Sequence, residues 1–170
     1  MRVLSQPLSV LFGGELKPLS NAHGAVYNSG AACSELCVDG RLELLSWNLL
    51  APCYKRPPEP EDTALARALA QIHTVRASSA DVVGLQEFWL AERHVEMWRS
   101  FAEDEGFCML VSPRTGGKQD GCCMLVRRAR LARPPVLETF SFDDWGNRVL
   151  QVVSVSLAGD AQVIISPVRT

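Results

Sequence analysis

The sequence lacks three features that would each assign a class of protein directly. No stretch approaches the roughly 18 consecutive apolar residues of a membrane-spanning helix, so we expect no membrane segment and no membrane partner. No charge of one sign dominates, because 17 lysines and arginines oppose 19 aspartates and glutamates. The resulting net charge of −2 excludes a general basic surface for nucleic acid, so any phosphate binding must be local. With 47% hydrophobic residues, the 170-residue chain has the composition of one folded domain.

The six cysteines lack the spacing of a zinc site or a disulfide framework. Cys122 and Cys123 are adjacent and would point to opposite faces of a strand. Cys33 and Cys37 have no second pair of ligands at zinc-finger spacing. The apolar residues 8–12 are too few for a secretory signal, so we expect reduced thiols. A cysteine-rich metal or redox module is the weakest of the alternatives.

Residues 1–40 carry few charges and no sustained hydrophobic periodicity, which indicates a leader or a flexible tail. Residues 41–170 are then expected to form the domain. The first segment contains serines and few acidic residues, as organelle transit peptides do, but it is not rich in arginine. We expect a cytoplasmic protein, with a chloroplast or mitochondrion as the alternative if residues 1–40 are a transit peptide.

The rest of the chain alternates between strand and helix patterns. Residues 41–48 favour a strand with Leu42, Leu44, Ser46 and Asn48 on one face, and the prolines of residues 51–60 favour an extended loop. Helices are predicted over 63–78 and 90–105, the first capped by Asp62 or Thr63 and the second stopped by Gly106. The remaining predicted strands are 81–87, 107–111, 122–127, 148–157 and 162–165. This order predicts an α/β layered domain with early parallel strands and later antiparallel hairpins.

Two polar residues stand at predicted strand ends. Glu87 follows a nearly all-apolar strand, and Asn48 ends the strand before it in the sequence. A carboxylate at such a place is a natural ligand for Mg²⁺, which proteins hold through one or two carboxylates plus water and substrate oxygens. Taken singly, a strand-end Glu is more often a cap or solvated, and a lone Asn is more often a turn former.

Four segments together resemble a known family. They are Ser46 to Arg56, Asp81 to Trp89 with its Leu-Gln-Glu, Lys118 to Cys122 with its Lys-x-Asp-Gly, and Trp145 to Val149. In this order they resemble blocks of the endonuclease/exonuclease/phosphatase superfamily, which has the DNase I-like fold. Within it they are most similar to the carbon-catabolite-repressor deadenylase and nocturnin branch. The resemblance covers about residues 41–165 and is most specific in the Leu-Gln-Glu block.

The resemblance implies a DNase I-like layered α/β sandwich, here partial, covering about the first half of the domain. It implies hydrolysis of phosphodiester or phosphate-ester bonds with Mg²⁺ or Mn²⁺, on an RNA 3′ end or a nucleotide. Glu87 would be the direct metal ligand, and Asn48 would orient a phosphate or belong to the metal shell. Lys118 and Asp120 would border the substrate cleft, and Arg148 matches the following strand block.

The sequence also departs from the family pattern. The later Asn-Thr-His, Gly-Asp-x-Asn and Ser-Asp-His blocks, whose Asp and His polarise the attacking water, are absent, and the chain continues from residue 165 as Ser-Pro-Val-Arg-Thr. Loss of such groups typically costs about 10²- to 10⁴-fold in rate each. We therefore expect this chain to be an inactive phosphodiesterase, or a non-catalytic truncated fragment or interaction module. Half a sandwich would also expose a broad apolar face and an open sheet edge.

The remaining basic residues and histidines are ambiguous or uninformative. Four arginines fall within seven residues, and they either contact phosphates or form a solvated strand end and turn. They are Arg127, Arg128, Arg130 and Arg133. His23 lies in the first segment, and His73 and His94 lie on predicted helices, where packing or surface exposure is the default.

Overall fold

The computed structural model describes residues 16–18, 25–27, 42–142, 146–157 and 162–166. Two β-sheets and two α-helices make up this part of the chain, and neither helix is long and apolar enough to cross a membrane. The helices are α1 (Glu61–Ala77) and α2 (Glu92–Asp104). The strands are β1 (Leu16–Pro18), β2 (Ala25–Tyr27), β3 (Leu44–Asn48), β4 (Val82–Trp89), β5 (Phe107–Pro113), β6 (Asp120–Arg127), β7 (Val136–Phe142), β8 (Val149–Ser156) and β9 (Gln162–Ile165).

The strand order brings the first two predicted strands side by side. One sheet has the order β2-β5-β6-β4-β3, in which β3 and β4 are parallel and the other pairs antiparallel. The other sheet, β1-β7-β8-β9, is antiparallel throughout. The predicted α/β architecture, with early parallel strands and later hairpins, is confirmed. Because β3 and β4 are parallel, their carboxyl ends lie at the same edge of the sheet.

Two apolar cores hold three layers together. On one face of the five-stranded sheet, side chains such as Val83 and Leu85 pack against Trp98 and Phe101 of α2 and against α1. The opposite face packs against the second sheet, as in the contact of Leu110 and neighbouring residues with Val153. The described residues therefore form a layer of helices, a mixed sheet and an antiparallel sheet, stacked in that order.

The expectation that the chain exposes a broad apolar face is wrong. The chain supplies its own strands for the second sheet, so the inner face of the first sheet is covered. Large hydrophobic residues that remain exposed in the described part of the chain are scattered over both sheets, one loop and α1: Leu44, Leu50, Leu69, Val136 and Ile164. Strands β3 and β9 do remain at the sheet edges.

Several element boundaries differ from the predicted ones. Helix α1 begins at Glu61 after an N-cap at Pro60, so neither Asp62 nor Thr63 is the cap, and Glu61 and Asp62 face the positive end of the helix dipole instead. Helix α2 begins two residues later than predicted, because β4 continues to Trp89 in its pairing with β6. Gly106, with φ of 74°, ends α2 as expected.

Three strands were not predicted. Strand β7 follows two prolines and mixes Leu137 and Phe140 with Glu138 and Thr139, so it gave no clear alternation. Strands β1 and β2 lie within residues 1–40 and pair with β7 and β5, so this segment contributes to both sheets. The domain boundary after residue 40 stays a prediction.

The arginine cluster after β6 stabilises the fold at the sheet end opposite to Glu87. Arg127 donates hydrogen bonds to the carbonyls of Glu105 and Ala80, and Arg128 donates to the carbonyl of Glu103. Arg130 pairs with buried Asp81 at 2.7 Å. Cations suit the carbonyls that end a helix. The structure therefore supports a role of these arginines in the strand end and turn, and not in phosphate binding.

The cysteines in the described part of the chain form no disulfide bonds. Cys108, Cys122 and Cys123 are buried in strands, and Cys53 is half-buried in the loop after β3. Burial raises the pKa of the Cys123 and Cys108 thiols, which keeps them protonated and unreactive. Cys33 and Cys37 lie outside the described residues.

Candidate functional site

Asn48 and Glu87 meet at the carboxyl edge of β3 and β4. Asn48 Nδ2 donates a hydrogen bond of 3.0 Å to Glu87 Oε1, so the predicted convergence of these residues is confirmed. Asn48 Oδ1 accepts from the Leu50 N–H at 2.9 Å, which closes a local turn. With its amide held in this way, Asn48 orients the Glu87 carboxylate. For Asn48 to bind a metal directly, its amide would have to rotate so that Oδ1, and not Nδ2, lies beside Glu87.

A β-bulge places Glu87 at this edge. In a regular strand, Glu87 would follow Val83 and Leu85 onto the face that packs against the helices. The register shifts between Gln86 and Phe88, and Phe88 takes that apolar position instead. Glu87 adopts a φ of 50°, a left-handed conformation that costs a non-glycine residue about 1–2 kcal/mol. Strain of this kind persists where the surrounding structure imposes it, and bulges recur next to active sites.

Helix α1 holds the chain that follows Asn48. Arg67 donates hydrogen bonds to the carbonyls of Leu49 and Leu50, and Gln71 donates a second one to Leu49. Arg67 also pairs with Glu59 at 2.6 Å, and hydrogen bonding to Arg67 is the main cause that lowers the pKa of the Glu59 carboxyl. These contacts join the loop, the helix and the end of β3. They line a small pocket of about 10 Å³, to which Glu87 also contributes.

A second cluster lies beside the pair and is centred on Arg114. Its guanidinium donates to the Tyr54 hydroxyl at 2.5 Å and to both oxygens of Asp120 at 3.1 and 3.2 Å. The Tyr54 hydroxyl in turn donates to Asp120 Oδ1 at 2.7 Å. Burial and then the hydrogen bond to Asp120 raise the pKa of Tyr54 to about 12, so Tyr54 stays protonated. We call these three residues the Arg114 cluster.

The Arg114 cluster joins both sheets at the carboxyl edge. Arg114 donates to the carbonyls of Gly146 and Asn147 in the connection from β7 to β8. Tyr54 lies in the turn after β3, and Asp120 begins β6 opposite Trp89 of β4. The sequence analysis did not select Arg114, because nothing local distinguishes it from other arginines. Tyr54 lay inside a family block but received no role.

The predicted substrate residues fall into two groups. Asp120 is 0% exposed, and its carboxylate is engaged by Arg114 and Tyr54, so it faces the protein and not a cleft. Lys118 and Arg148 are exposed, on the loops before β6 and before β8. The Arg148 guanidinium lies 5.8 Å from the centre of the Phe142 ring. The roles of Lys118 and Arg148 stay predictions.

The glycine that follows Asp120 has a steric explanation. A Cβ atom on Gly121 would lie 2.3 Å from the Ser112 carbonyl oxygen and 2.9 Å from Pro113 Cα. Both are backbone atoms of the paired strand β5, which cannot move away without breaking the ladder. The Asp-Gly pair in this block is therefore required to bring β5 and β6 together where Asp120 is buried.

His94 has a structural role. Its Nδ1–H donates to the Trp89 carbonyl at 2.7 Å, and its Nε2 accepts from Trp98 Nε1 at 3.1 Å. The ring is 4% exposed, and burial lowers the pKa of His94 to about 4. A neutral ring with both nitrogens engaged cannot take a proton from water at neutral pH. The sequence-based default of packing for His94 is confirmed.

We expect His94 to make the protein less stable in mild acid. Its pKa is about 4 when folded and 6.5 in its ordinary state, so below pH 6.5 the unfolded chain binds the proton first. The free energy of unfolding should then fall by up to about 3 kcal/mol between pH 6.5 and 4. Urea unfolding at several pH values measures the slope. His94→Gln should reduce the slope, whereas the matched variant His73→Gln, on the exposed surface of α1, should keep it.

The donor set at the carboxyl edge suits a hard cation. Glu87 offers a carboxylate that is 8% exposed and oriented by Asn48, and Mg²⁺ commonly takes one carboxylate and completes its shell with waters and substrate oxygens. No group of three or more His, Cys, Asp or Glu side chains that could hold a metal occurs among the described residues. A single oriented carboxylate fits a hard divalent cation that takes most of its ligands from water and substrate.

Comparison with known proteins gives the same fold. Solved structures similar to this chain include ANGEL2, a 2′,3′-cyclic phosphatase in complex with adenosine-2′,3′-vanadate, with a TM-score of 0.60, 18% identity and coverage of 74% of this chain and 40% of that one. TDP2 from Caenorhabditis elegans matches with a TM-score of 0.54, 19% identity and coverage of 74% and 34%. At these identities the likeness shows the fold, and it confirms the predicted DNase I-like sandwich, here a partial one.

A curated relative and a family model complete the comparison. The uncharacterized calcium-binding protein At1g02270 of Arabidopsis thaliana is 24% identical over 159 residues, which are 88% of this chain and 33% of the relative. The chain thus spans a third of the length of that relative. The model of the Endonuclease/Exonuclease/phosphatase family matches residues 45–160, which include both strand ends of the candidate site and the Arg114 cluster. The chain belongs to the endonuclease/exonuclease/phosphatase family.

Proposed function

We propose that Asn48 and Glu87 form the metal-binding side of a phosphoester hydrolase site that takes a nucleotide or an RNA 3′ end. The observation that carries the proposal is the hydrogen bond from Asn48 to Glu87 at the carboxyl ends of two parallel strands. Ligands bind at this edge in open parallel α/β sheets. The bulge that turns Glu87 out of the apolar face adds support, because its strain has no evident packing benefit for Glu87 itself.

Each residue has a distinct part in this proposal. Glu87 holds Mg²⁺ or Mn²⁺, and the metal, when bound, would supply Lewis-acid stabilisation of charge on a phosphate. Asn48 fixes the Glu87 carboxylate. The exposed side chains of Lys118 and Arg148 meet the phosphates of the substrate. Asp120 acts as a positioning residue through Arg114, since its carboxylate faces the protein.

The substrate class rests on the relatives. One similar structure is named as a 2′,3′-cyclic phosphatase bound to an adenosine vanadate, which supports a nucleotide or an RNA end. The deadenylase and nocturnin branch, to which the sequence blocks are most similar, supports the 3′ end of a poly(A) chain. Both substrates present a ribose and a phosphate to the same edge.

A second candidate is a non-catalytic module that binds metal and substrate without hydrolysing it. The observation that favours it concerns the general base. His94 has both ring nitrogens engaged, and His73 lies on the exposed surface of α1, so neither histidine in the described part of the chain can activate water beside Glu87. Loss of a general base typically costs about 10²- to 10⁴-fold in rate.

The test uses the full chain. Isothermal titration calorimetry with Mg²⁺, Mn²⁺ and Ca²⁺ measures metal binding. Ca²⁺ is included because the Arabidopsis relative is named as a calcium-binding protein. Adenosine 2′,3′-cyclic phosphate and a short oligo(A) are then added with and without the bound metal. Metal-dependent cleavage of either substrate supports the hydrolase, and metal-dependent binding without cleavage supports the non-catalytic module. A chain that binds none of the three ions contradicts both.

A further inference from the structure

A wide groove lies between the two helices, on the outer surface of the helical layer. It is open to solvent and has a volume of about 690 Å³. Its floor is apolar and is formed by Leu65, Ala66 and Leu69 of α1 and by Met97 of α2. We call this feature the helix groove. It lies on the outside of α1 and α2 and shares no residue with the candidate metal site.

The floor of the helix groove includes an exposed leucine of α1. Leu69 is 53% exposed, whereas Leu65, one turn earlier, is 7% exposed. An exposed leucine alone needs no explanation. Here, however, Leu69 lies beside Leu65 and half-buried Met97 in one concave surface, and apolar concavities with polar rims mark interaction sites.

The rim of the helix groove is mainly acidic. Three carboxylates line it, those of Asp62, Glu92 and Glu96, against the guanidinium of Arg93. Arg99, outside the lining, pairs with Glu96 at 2.6 Å, so Asp62 and Glu92 supply most of the negative charge. Arg93 is already shared between Glu61 at 3.4 Å and Asp62 at 3.5 Å. The side chain of Asp62 is 91% exposed, so its charge is directed to solvent. An occupant with positive charge is therefore favoured.

We propose that the helix groove binds a basic amphipathic helix of a partner protein. The apolar side of that helix would pack on Leu65, Leu69 and Met97, and its lysines or arginines would face the acidic rim. This is the common helix-in-groove mode, in which residues at i, i+3, i+4 and i+7 provide the anchors. Helices α1 and α2 both follow strands that end at the carboxyl edge and pack on the same face of the five-stranded sheet, so the helix groove lies between two neighbouring helices.

The rim argues against two other occupants. Nucleic acid would bring phosphates against three carboxylates, which repel it. A symmetric dimer through the helix groove would place the same acidic rim of one copy against that of the other. Like charges opposed across an interface cost several kcal/mol. A basic helix satisfies both the apolar floor and the charged rim.

Binding is tested with the full chain and a synthetic probe. The probe is an 18-residue peptide with leucines at helical spacing on one side and lysines on the other, labelled with fluorescein for anisotropy. One control peptide has the same composition in scrambled order, and a second carries glutamates in place of the lysines. We expect the basic amphipathic peptide to bind at least about tenfold more tightly than either control.

Two variants of the protein locate the binding. Leu69→Ser should weaken binding about tenfold, the amount expected from one exposed leucine that becomes buried. The double variant Glu92→Lys with Glu96→Lys should weaken it further by charge reversal. Matched controls are Leu44→Ser on β3 and Glu103→Lys at the far end of α2, both exposed and outside the helix groove, which should bind as the unaltered chain does.

Methionine methyl signals give an independent readout. With ¹³C-labelled methionine, the Met97 methyl resonance should shift when the peptide is added, because Met97 lines the helix groove. Met109 and Met124 are fully buried in the five-stranded sheet and should not shift. These signals also report whether each variant is folded.

Four results would overturn the proposal. They are equal binding of the scrambled peptide, unchanged binding by Leu69→Ser, a concentration-dependent dimer that Leu69→Ser abolishes, and displacement of the peptide by single-stranded oligo(A). The dimer would assign the helix groove to a second copy, and displacement by oligo(A) would assign it to nucleic acid. None of these results depends on whether Glu87 binds a metal.

Discussion

Asp120→Ala should lower the free energy of unfolding by about 3–5 kcal/mol, the loss typical when one partner of a buried ion pair is removed. The Asp120 carboxylate is 0% exposed and accepts hydrogen bonds from both Tyr54 and Arg114. Removing it leaves the Arg114 guanidinium, itself 9% exposed, without its counter-charge. Two loops and the start of β6 would lose their common anchor. Urea unfolding followed by tryptophan fluorescence measures the change.

Matched variants separate the ion pair from the loss of volume. Asp62→Ala removes a carboxylate whose side chain is 91% exposed, and it should lower the free energy of unfolding by less than about 1 kcal/mol, the amount expected from its place at the start of α1. The double variant Arg114→Met with Asp120→Leu replaces the pair with apolar groups, and it should be more stable than Asp120→Ala. Tyr54→Phe removes only one hydroxyl and should cost about 1–3 kcal/mol. If Asp120→Ala behaves like Asp62→Ala, the Arg114 cluster does not stabilise the fold.

The sequence predicted the parts of the site that depend on local pattern. The apolar run before Glu87 and the alternating residues before Asn48 identified two strands, and a helix between them made those strands parallel. Parallel strands end at the same edge, so the meeting of Asn48 and Glu87 followed from chain order alone. The three-dimensional fold was accessible for the same reason, since hydrophobic periodicity marked both helices and most strands.

The contacts that hold the site in place could not be predicted in this way. Arg114 reaches residues 60 and 32 positions away in the chain, and no local rule links them. The bulge at Glu87 depends on whether Phe88 or Glu87 packs against the helices, a choice made by tertiary packing. Strand β7 has polar and apolar residues on both faces, so its sequence does not alternate. Its Thr139 is tolerated between the sheets because its hydroxyl is hydrogen-bonded to that of Ser112. The burial of Asp120 and its pairing with Arg114 could not be predicted, because sequence alone does not distinguish a buried, paired aspartate from one that lines a cleft.

The strain at Glu87 would link the stability of the fold to the proposed metal binding. A glycine would adopt a φ of 50° without cost, so the fold alone does not favour Glu at this position. The bulge nevertheless brings a carboxylate to the hydrogen bond with Asn48, beside the pocket held by α1. Functional residues are expected to break local rules where chemistry requires it. Leu50, Ser79 and Asn147 also have positive φ, but Glu87 is the one of these four that places a buried carboxylate at this edge.

Glu87→Gln should weaken Mg²⁺ and Mn²⁺ binding by at least about 100-fold, because changes one step removed from a metal already cost 10- to 100-fold and Glu87 would contact it directly. Glutamine keeps the shape and the hydrogen bond from Asn48 but removes the charge. Asn48→Ala, which frees the carboxylate to rotate, should cost about 10- to 100-fold. Titration calorimetry measures the metal affinity of the unaltered chain and of both variants. Glu43→Gln, which removes an exposed carboxylate directly before β3, is the matched control and should bind as before.

A glycine variant separates metal binding from folding. Glu87→Gly should abolish metal binding while keeping the free energy of unfolding within about 1 kcal/mol, since relief of the left-handed strain offsets the lost side-chain contacts. Binding lost with stability retained would identify Glu87 as a residue held in a strained conformation for its ligand. Metal binding by Glu87→Gln at the unaltered affinity would show that the ion, if bound, is held elsewhere, and the carboxyl edge of β3 and β4 would then have no part in metal-dependent chemistry.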